Sequence, residues 1–501
     1  MPSPLGCYTK LQWFMMRAQH SKSETGTSVK VHDRLYINGQ WTAPHSTRVH
    51  EIINPATTQV CAVTPLANEA DCIQAIDAAC EALPKWSQTS TQERSHFITA
   101  AADEMQRRAD DLADAITMTM GCPRHLCPNL QVLGSIAAFR SYAERAKLMD
   151  QVEERNGIHI LKEPVGVCTL INPWNYPLSI LVGKTAPALA AGCTVIVKPA
   201  EQTPLQDFIV AEVFEKIGLP PGVFNLVTGI GPEVGPVLCA HEGVDMVSFT
   251  GSTRAGVHIS ESAAPTIKRV CLELGGKSPL IITEDAELET AVRYGVQDVM
   301  MNTGQTCSAL TRMLVPESRY EEAVSIAQRV AEENVVGNPL DPTTTMGPLC
   351  SEAQKETVVD YIHQGIQEGA RLVTGGHHMP PGMTHGAYLP PTIFADVTNQ
   401  MRIAREEIFG PVLCMIPFKE VDEAVQLAND SVYGLSSAVF AKTTDEALAI
   451  ARQIRAGQCF VQGAHFTTEA PFGGYKQSGN GREWGDEGLL EYVEVKAVLT
   501  H

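Results

Sequence analysis

The chain has 501 residues, more than one hydrophobic core usually holds, so two or three domains are expected. Hydrophobic residues make up 44% and charged residues 19%, an ordinary balance for a globular chain that argues against large-scale disorder. The net charge of −19, with no dense Lys/Arg block, argues against a nucleic-acid or anionic-membrane partner.

Residues 1–30 carry Lys10, Arg17, Lys22 and Lys30 against one acid, Glu24, and their apolar stretch, 11–16, is too short for a secretory signal. They read as a disordered tail, with a mitochondrial presequence as the alternative. Order begins near Leu35, where Tyr36-Ile-Asn-Gly-Gln-Trp41 reads as strand, turn, strand. Helical periodicity with Ala-rich faces covers 69–83 and 91–120. Strands then alternate with helices. Strands are predicted at 165–171, 194–197, 223–227, 245–249 and 269–274, and helices at 178–191, 205–217, 234–240 and 254–262. That alternation predicts a doubly wound parallel sheet, which binds ligands at the carboxyl ends of its strands. A second α/β pattern runs from about 286 to 474, with helices near 321–333, 351–369, 421–428 and 445–454. The chain ends in a predicted strand, 492–499, of the kind that often pairs with another domain or subunit.

The 14 cysteines are scattered, without a CxxC pair, and there is no HExxH helix, so no metal site is expected. A reducing compartment, the cytoplasm ahead of the mitochondrial matrix, fits this usage. No apolar run is long enough to span a membrane.

Five features carry the chemistry. Cys307 lies in a small polar segment, Asn302-Thr-Gly-Gln-Thr-Cys-Ser308, where backbone N–H groups could face an oxygen; a core thiol is the plainer reading of any single cysteine. Glu273 ends an apolar strand, as a general base of shifted pKa or as a buried structural acid. Asn175, in Asn172-Pro-Trp-Asn-Tyr-Pro177, offers an amide to a developing oxyanion, or else satisfies its own turn. The segment Phe249-Thr-Gly-Ser-Thr-Arg-Ala-Gly256 opens a helix with Gly251, Ser252 and Gly256, which suits a phosphate. Lys198 and Glu201 follow the neighbouring strand, where they could hold ribose hydroxyls.

Together these segments resemble the aldehyde dehydrogenase superfamily, over nearly the whole chain from Tyr36 to Leu499. Further motifs carry the resemblance: Leu272-Glu-Leu-Gly-Gly-Lys-Ser-Pro279, Gly304-Gln-Thr-Cys307, Glu406-Glu-Ile-Phe-Gly-Pro411 and Pro471-Phe-Gly-Gly-Tyr-Lys-Gln-Ser-Gly479. The resemblance implies an NAD(P)-dependent enzyme of the hydrolytic type. Cys307 matches its nucleophile, Glu273 the base that activates water, and Asn175 the oxyanion donor. Lys198 and Glu201 match groups that hold the adenosine ribose, and Glu201 favours NAD over NADP. Ser252 matches a pyrophosphate ligand. Glu407 matches the acid on the nicotinamide ribose, with Phe409 beside it, and Trp174 belongs to the same cofactor surface. Glu483 matches a second acid with a proton-relay role. The implied partition is a nucleotide-binding domain (31–143 and 165–274), a catalytic domain (275–474) and a small β oligomerisation arm (144–164 and 485–501), giving a homodimer or homotetramer. The segment Phe460-Val-Gln-Gly-Ala-His-Phe466 departs from many relatives, with Gln462, His465 and Phe466 shaping the substrate mouth, so the substrate does not carry over; Thr119 also replaces a common Glu. Trp174, Tyr176 and Phe466 suggest a partly apolar aldehyde. Acylation of coenzyme A, thiol-esterase activity and a catalytically silent binding protein are the competing readings; the presence of Glu273 and the nucleotide-site residues argues against them.

Overall fold

The computed structural model describes residues 29–500. The expectation for residues 1–30 falls outside these except at its end, where Lys30 already pairs with Ala62 in a short strand.

The first sheet has eight strands. In spatial order they are Gly479–Asn480, Arg269–Glu273, Met246–Thr250, Val167–Ile171, Thr194–Lys198, Phe224–Leu226, Leu35–Ile37 and Gln40–Thr42. The five inner strands are parallel, and the pairings at both margins are antiparallel. Strands Val167–Ile171 and Thr194–Lys198 are buried along their whole length, as expected of a sheet covered on both faces. Alternate side chains divide between two cores: Cys168 and Leu170 pack with Leu178 and Leu181, while Val167 and Ile171 pack with Cys72 and Ile76. Local chemistry sets the turns. Asn38 and Gly39 both take positive φ, 53° and 71°, as a two-residue hairpin requires. Helix Pro177–Ala191 opens on proline and closes on Gly192 in the left-handed conformation.

The second sheet has seven strands, in the order Arg371–Thr374, Thr392–Ala395, Val412–Phe418, Arg312–Pro316, Pro279–Ile282, Ala438–Phe440 and Phe460–Val461. All its pairings are parallel except that of Arg371–Thr374. A third sheet joins Val493–Leu499 to Ile158–Pro164 and Glu153–Arg155, all antiparallel.

Two expected elements differ, one divided and one shortened. The segment 91–120 is two helices, Thr91–Arg107 and Ala109–Met120. Arg108, at φ −100° and ψ 14°, leaves helical geometry between them, and its guanidinium binds Asp111 and Glu212. The strand expected at 165–171 starts at Val167, because Gly166 takes φ 130° and turns the chain out of Ile158–Pro164.

Candidate active site

The inner strands run outward in both directions from Val167–Ile171, so the winding reverses between it and Met246–Thr250. A crevice opens beyond the carboxyl ends of strands at such a reversal. A cavity of about 290 Å³ lies there, lined by the strand-end loops of the first sheet and, across it, by loops and helix Glu352–Gln367 of the second half of the chain. Trp174 and Asn175 come from the loop after the first strand, and Gly251 and Ser252 from the loop after the second. Cys307, Glu407 and Phe409 come from the opposing part of the chain.

Cys307 is presented by an unusual backbone. After helix Leu288–Met300, Asn302, Thr303 and Gly304 take successive left-handed conformations, φ 53°, 57° and 72°. For residues other than glycine this costs roughly 1–3 kcal/mol each, so the surroundings must enforce it. They do so through side-chain hydrogen bonds. Asn302 Nδ2 donates to the carbonyls of Asn175 (3.1 Å) and Gln305 (3.2 Å). Thr303 Oγ1 donates to the Gly347 carbonyl, and Gln305 Oε1 accepts from Cys350 N. At Gly304 a Cβ would lie 2.0 Å from the Gly410 carbonyl oxygen, so only glycine fits. Asn175 is buried, and its Nδ2 donates to the Gln305 carbonyl at 3.0 Å. An amide nitrogen has two hydrogens, which leaves one for a substrate oxygen. The loop that carries Cys307 and the loop that carries Asn175 therefore belong to one hydrogen-bonded unit.

The half-buried Cys307 thiol is pushed up from its ordinary pKa, first by burial and then by the nearby carboxyls of Glu407, Glu273 and Glu483. It rests as a thiol and needs a proton acceptor to attack. Glu273 is 2% exposed, and neither carboxyl oxygen has a hydrogen-bond partner in the protein. Burial, then repulsion from Glu483, holds its pKa well above the carboxylate range, against the pull of Lys184 and Arg482. Its carboxyl lies against Gly473, where a Cβ would come within 2.7 Å of Oε1. Glu483 is ion-paired with the fully buried Lys184, which also donates to Ser248 Oγ at 3.0 Å. Removing one partner of so buried a pair costs about 3–5 kcal/mol, so Glu483 is a structural anchor whatever protons it handles.

Three groups at or near the cavity suit a nucleotide, of which the Lys198–Glu201 pair lies outside its lining. Ser252 caps helix Thr253–Ala263, its Oγ accepting from Ala255 N at 3.3 Å. This leaves a helix N-terminus beside the cavity, suited to an anion. Gly251 and Ser252 line the cavity; Gly256 does not, and lies one turn into the helix, packed on Leu274, where a Cβ would come within 2.8 Å of Cδ2. Lys198, buried at its strand end, donates to the Pro199 carbonyl (2.8 Å) and Glu201 Oε2 (3.3 Å). On the far side, Glu407 Oε1 accepts from Gly276 N at 3.0 Å, and burial pushes its pKa to about 7. Phe409 takes φ 57° and meets Trp174 edge to face, with ring centroids 5.3 Å apart. An anion-ready helix end, a Lys–Glu pair and a second acid across the cavity form a donor set that fits a dinucleotide.

Sequence reasoning missed the supports of this site. Gln354 Nε2 donates to the Phe409 carbonyl at 2.9 Å and pins the left-handed turn that carries Glu407. Asn302 and Gln305 hold the loop that carries Cys307, and the Tyr176 hydroxyl meets Thr306 Oγ1 at 2.9 Å. Each depends on a neighbour far away in sequence, so no local pattern announces it. Of the departures at the mouth, Gln462 takes φ 53° and exchanges hydrogen bonds with the backbone of Ala441, so it builds the loop. Phe466 is 49% exposed and lies edge to face with Phe472. Thr119 is buried, with its hydroxyl donating to the Ala115 carbonyl.

The profile described as "Aldehyde dehydrogenase family" matches residues 41–498. A curated relative, 3-succinoylsemialdehyde-pyridine dehydrogenase of a Pseudomonas species, is 48% identical over 466 residues, covering 93% of this chain and 98% of its own. A crystal structure of a mutant aldehyde dehydrogenase C from Pseudomonas syringae, in complex with NAD+ and octanal, superposes with a TM-score of 0.91. It is 44% identical and covers 93% of this chain and 96% of its own. An aldehyde dehydrogenase of Mycobacterium tuberculosis complexed with NAD+ superposes at 0.92, with 41% identity and coverage of 95% and 99%.

Proposed function

Because the chain belongs to the aldehyde dehydrogenase family, NAD-dependent oxidoreductases that convert aldehydes to carboxylic acids, we propose that it does so through a thioester on Cys307. The observation that carries this reading is the hydrogen-bonded unit joining the Asn175 loop to the loop that carries Cys307, with the Cys307 thiol in the field of a buried Glu273 that has no hydrogen-bond partner in the protein.

In this reading the Cys307 thiol loses its proton to solvent, and Glu273 is kept as the base for the later water, a role suited to a carboxyl of raised pKa. The sulfur adds to the aldehyde carbon, and the carbonyl oxygen becomes an oxyanion held by the free N–H of Asn175 and the backbone N–H of Cys307. Bound NAD supplies the hydride acceptor. Loss of hydride leaves the acyl group on sulfur, and Glu273 then deprotonates the water that releases the acid. Glu483 keeps its pairing with Lys184 and biases the Glu273 pKa by repulsion. Gly251 and Ser252 take the pyrophosphate, Lys198 and Glu201 the adenosine ribose, and Glu407 the nicotinamide ribose, with Phe409 and Trp174 bounding the nicotinamide side. Gly256 serves the packing of the helix that carries Ser252. Glu201 repels a 2′-phosphate, which favours NAD over NADP.

The first sheet then works as the nucleotide-binding unit (31–143 and 165–274), the second as the catalytic unit (275–474), and the third (144–164 and 485–501) as an arm joining two or four copies. Val495 and Leu499, 68% and 74% exposed in that arm, support the last point. A reducing cytoplasm suits thiol chemistry, and the described cysteines are all free. Among the described residues no helix is long and apolar enough to cross a membrane.

Trp174, Tyr176 and Phe466 favour a partly apolar aldehyde, and octanal in the related crystal structure supports this. NADH absorbance with a panel of aldehydes tests it: kcat/KM should be higher for medium-chain aliphatic or aromatic aldehydes than for small charged semialdehydes, and higher with NAD than with NADP. The reverse substrate order would overturn the apolar reading. Light scattering on the same preparation should give two or four times the 54.2 kDa of one chain.

Glu407 gives a pH prediction. Its pKa of about 7 lies above the usual value, so it is mostly protonated at pH 6 and mostly ionised at pH 8. A carboxylate accepts ribose hydroxyls better than the neutral acid does, so NAD should bind up to about tenfold more tightly at pH 8 than at pH 6. Titration by protein fluorescence should show this in the wild type and a flat, weaker profile in Glu407→Gln. A flat wild-type profile would remove Glu407 from the cofactor site.

A further inference from the structure

Gln131 lies outside both loops that meet at Cys307. It sits in a π-helical turn, Pro128–Val132, and is 1% exposed. Its Nε2 donates to the carbonyl of Asn175 and to Oδ1 of Asn302, both at 3.2 Å. Asn302 Nδ2 donates to the same Asn175 carbonyl and also to the Gln305 carbonyl, which in turn accepts Asn175 Nδ2. The contacts close into a ring. Gln131 fixes Asn302 and the backbone of Asn175; Asn302 ties that backbone to Gln305; and Gln305 holds one hydrogen of the Asn175 amide.

Two features set Gln131 apart from an ordinary buried side chain. Both of its N–H donors go to the site loops, while its own Oε1 has no partner in the protein, an unusual state for a buried amide oxygen. It also sits on a π-turn, a departure from regular helix that concentrates at functional sites.

We propose that Gln131 is a positioning residue for carbonyl addition: its amide fixes the Asn175 backbone and Asn302, and so aims the free Asn175 N–H at the oxygen that becomes negative when Cys307 attacks. The inference rests on the reading of Asn175 as the oxyanion donor. Gln131 itself touches neither substrate nor cofactor. Its loss acts only on steps that build an oxyanion.

That restriction supplies the test. Alkylation of Cys307 by iodoacetamide builds no oxyanion, whereas attack on an aldehyde does. In Gln131→Met, similar in size but without donors, the first-turnover burst of NADH should slow by about tenfold or more, part of what deletion of a direct oxyanion donor costs. The alkylation rate and NAD affinity should stay within about twofold of wild type. Gln131→Glu is the second variant. Its introduced carboxyl donates only when protonated, so its burst rate relative to wild type should recover as pH is lowered. This decides the matter should the Met variant fail to fold. A burst unchanged in both variants, or burst and alkylation falling together in both, would overturn the proposal, the latter because the whole loop would then have lost order. Asn175→Ala is run alongside: a normal burst in that variant would mean that the oxyanion assignment itself is wrong, separately from Gln131.

Discussion

Glu273→Gln is expected to release one equivalent of NADH per active site and then stall. The amide keeps the shape of the carboxyl but cannot take a proton from water, so the acyl group stays on Cys307. Steady-state turnover should fall by about 100- to 10,000-fold, the usual contribution of a general base. Thermal stability should not fall with it. Glu273 is buried without a hydrogen-bond partner and repelled by Glu483, so the substitution removes an unfavourable contact. Stopped-flow absorbance reads the burst and the steady state in one trace. A variant that turns over at the wild-type rate would show that another group activates the water. A variant with neither burst nor turnover would show that Glu273 is needed for attack and not only for release.

Cys307→Ala is expected to abolish NADH formation with every aldehyde, while NAD still binds. The groups assigned to the cofactor lie on other segments, at Lys198, Glu201, Ser252 and Glu407, so the cofactor site should survive. Loss of a covalent nucleophile elsewhere costs on the order of a million-fold, which here means background. Calorimetry with NAD and absorbance with aldehyde separate the two properties. Any aldehyde oxidised at more than a few per cent of the wild-type rate would point to direct hydride transfer from the aldehyde hydrate.

The sequence made the first sheet legible because its inner strands are short, β-branched and separated by helices with clear start and stop residues. Asn38-Gly39 and Gly192 mark their turns without tertiary information. The candidate residues Cys307, Glu273 and Asn175 stand out one at a time in the sequence, each with an ordinary alternative, and gain weight as an ordered set. What could not be read is what holds them. Strand Gly479–Asn480 is two residues long and has no period to detect, yet it pairs with Glu273 from 206 positions away. The left-handed run at Asn302 and Thr303 goes against the preference of the β-branched Thr303 and is held by Gly347, Asn175 and Gln305. Gly256 ends a glycine-rich segment that suggests a phosphate, and its missing Cβ also makes room for Leu274, which the sequence does not show. The break at Arg108 depends on Glu212, about a hundred residues downstream.

The central claim is a covalent acyl group on Cys307. Mixing Glu273→Gln with NAD and a medium-chain aldehyde, quenching in acid after the burst, and measuring peptide masses tests it most directly. The peptide containing Cys307 should gain the mass of the aldehyde less two hydrogens, and hydroxylamine should remove the addition. A burst of NADH with that peptide unmodified would contradict the thioester route.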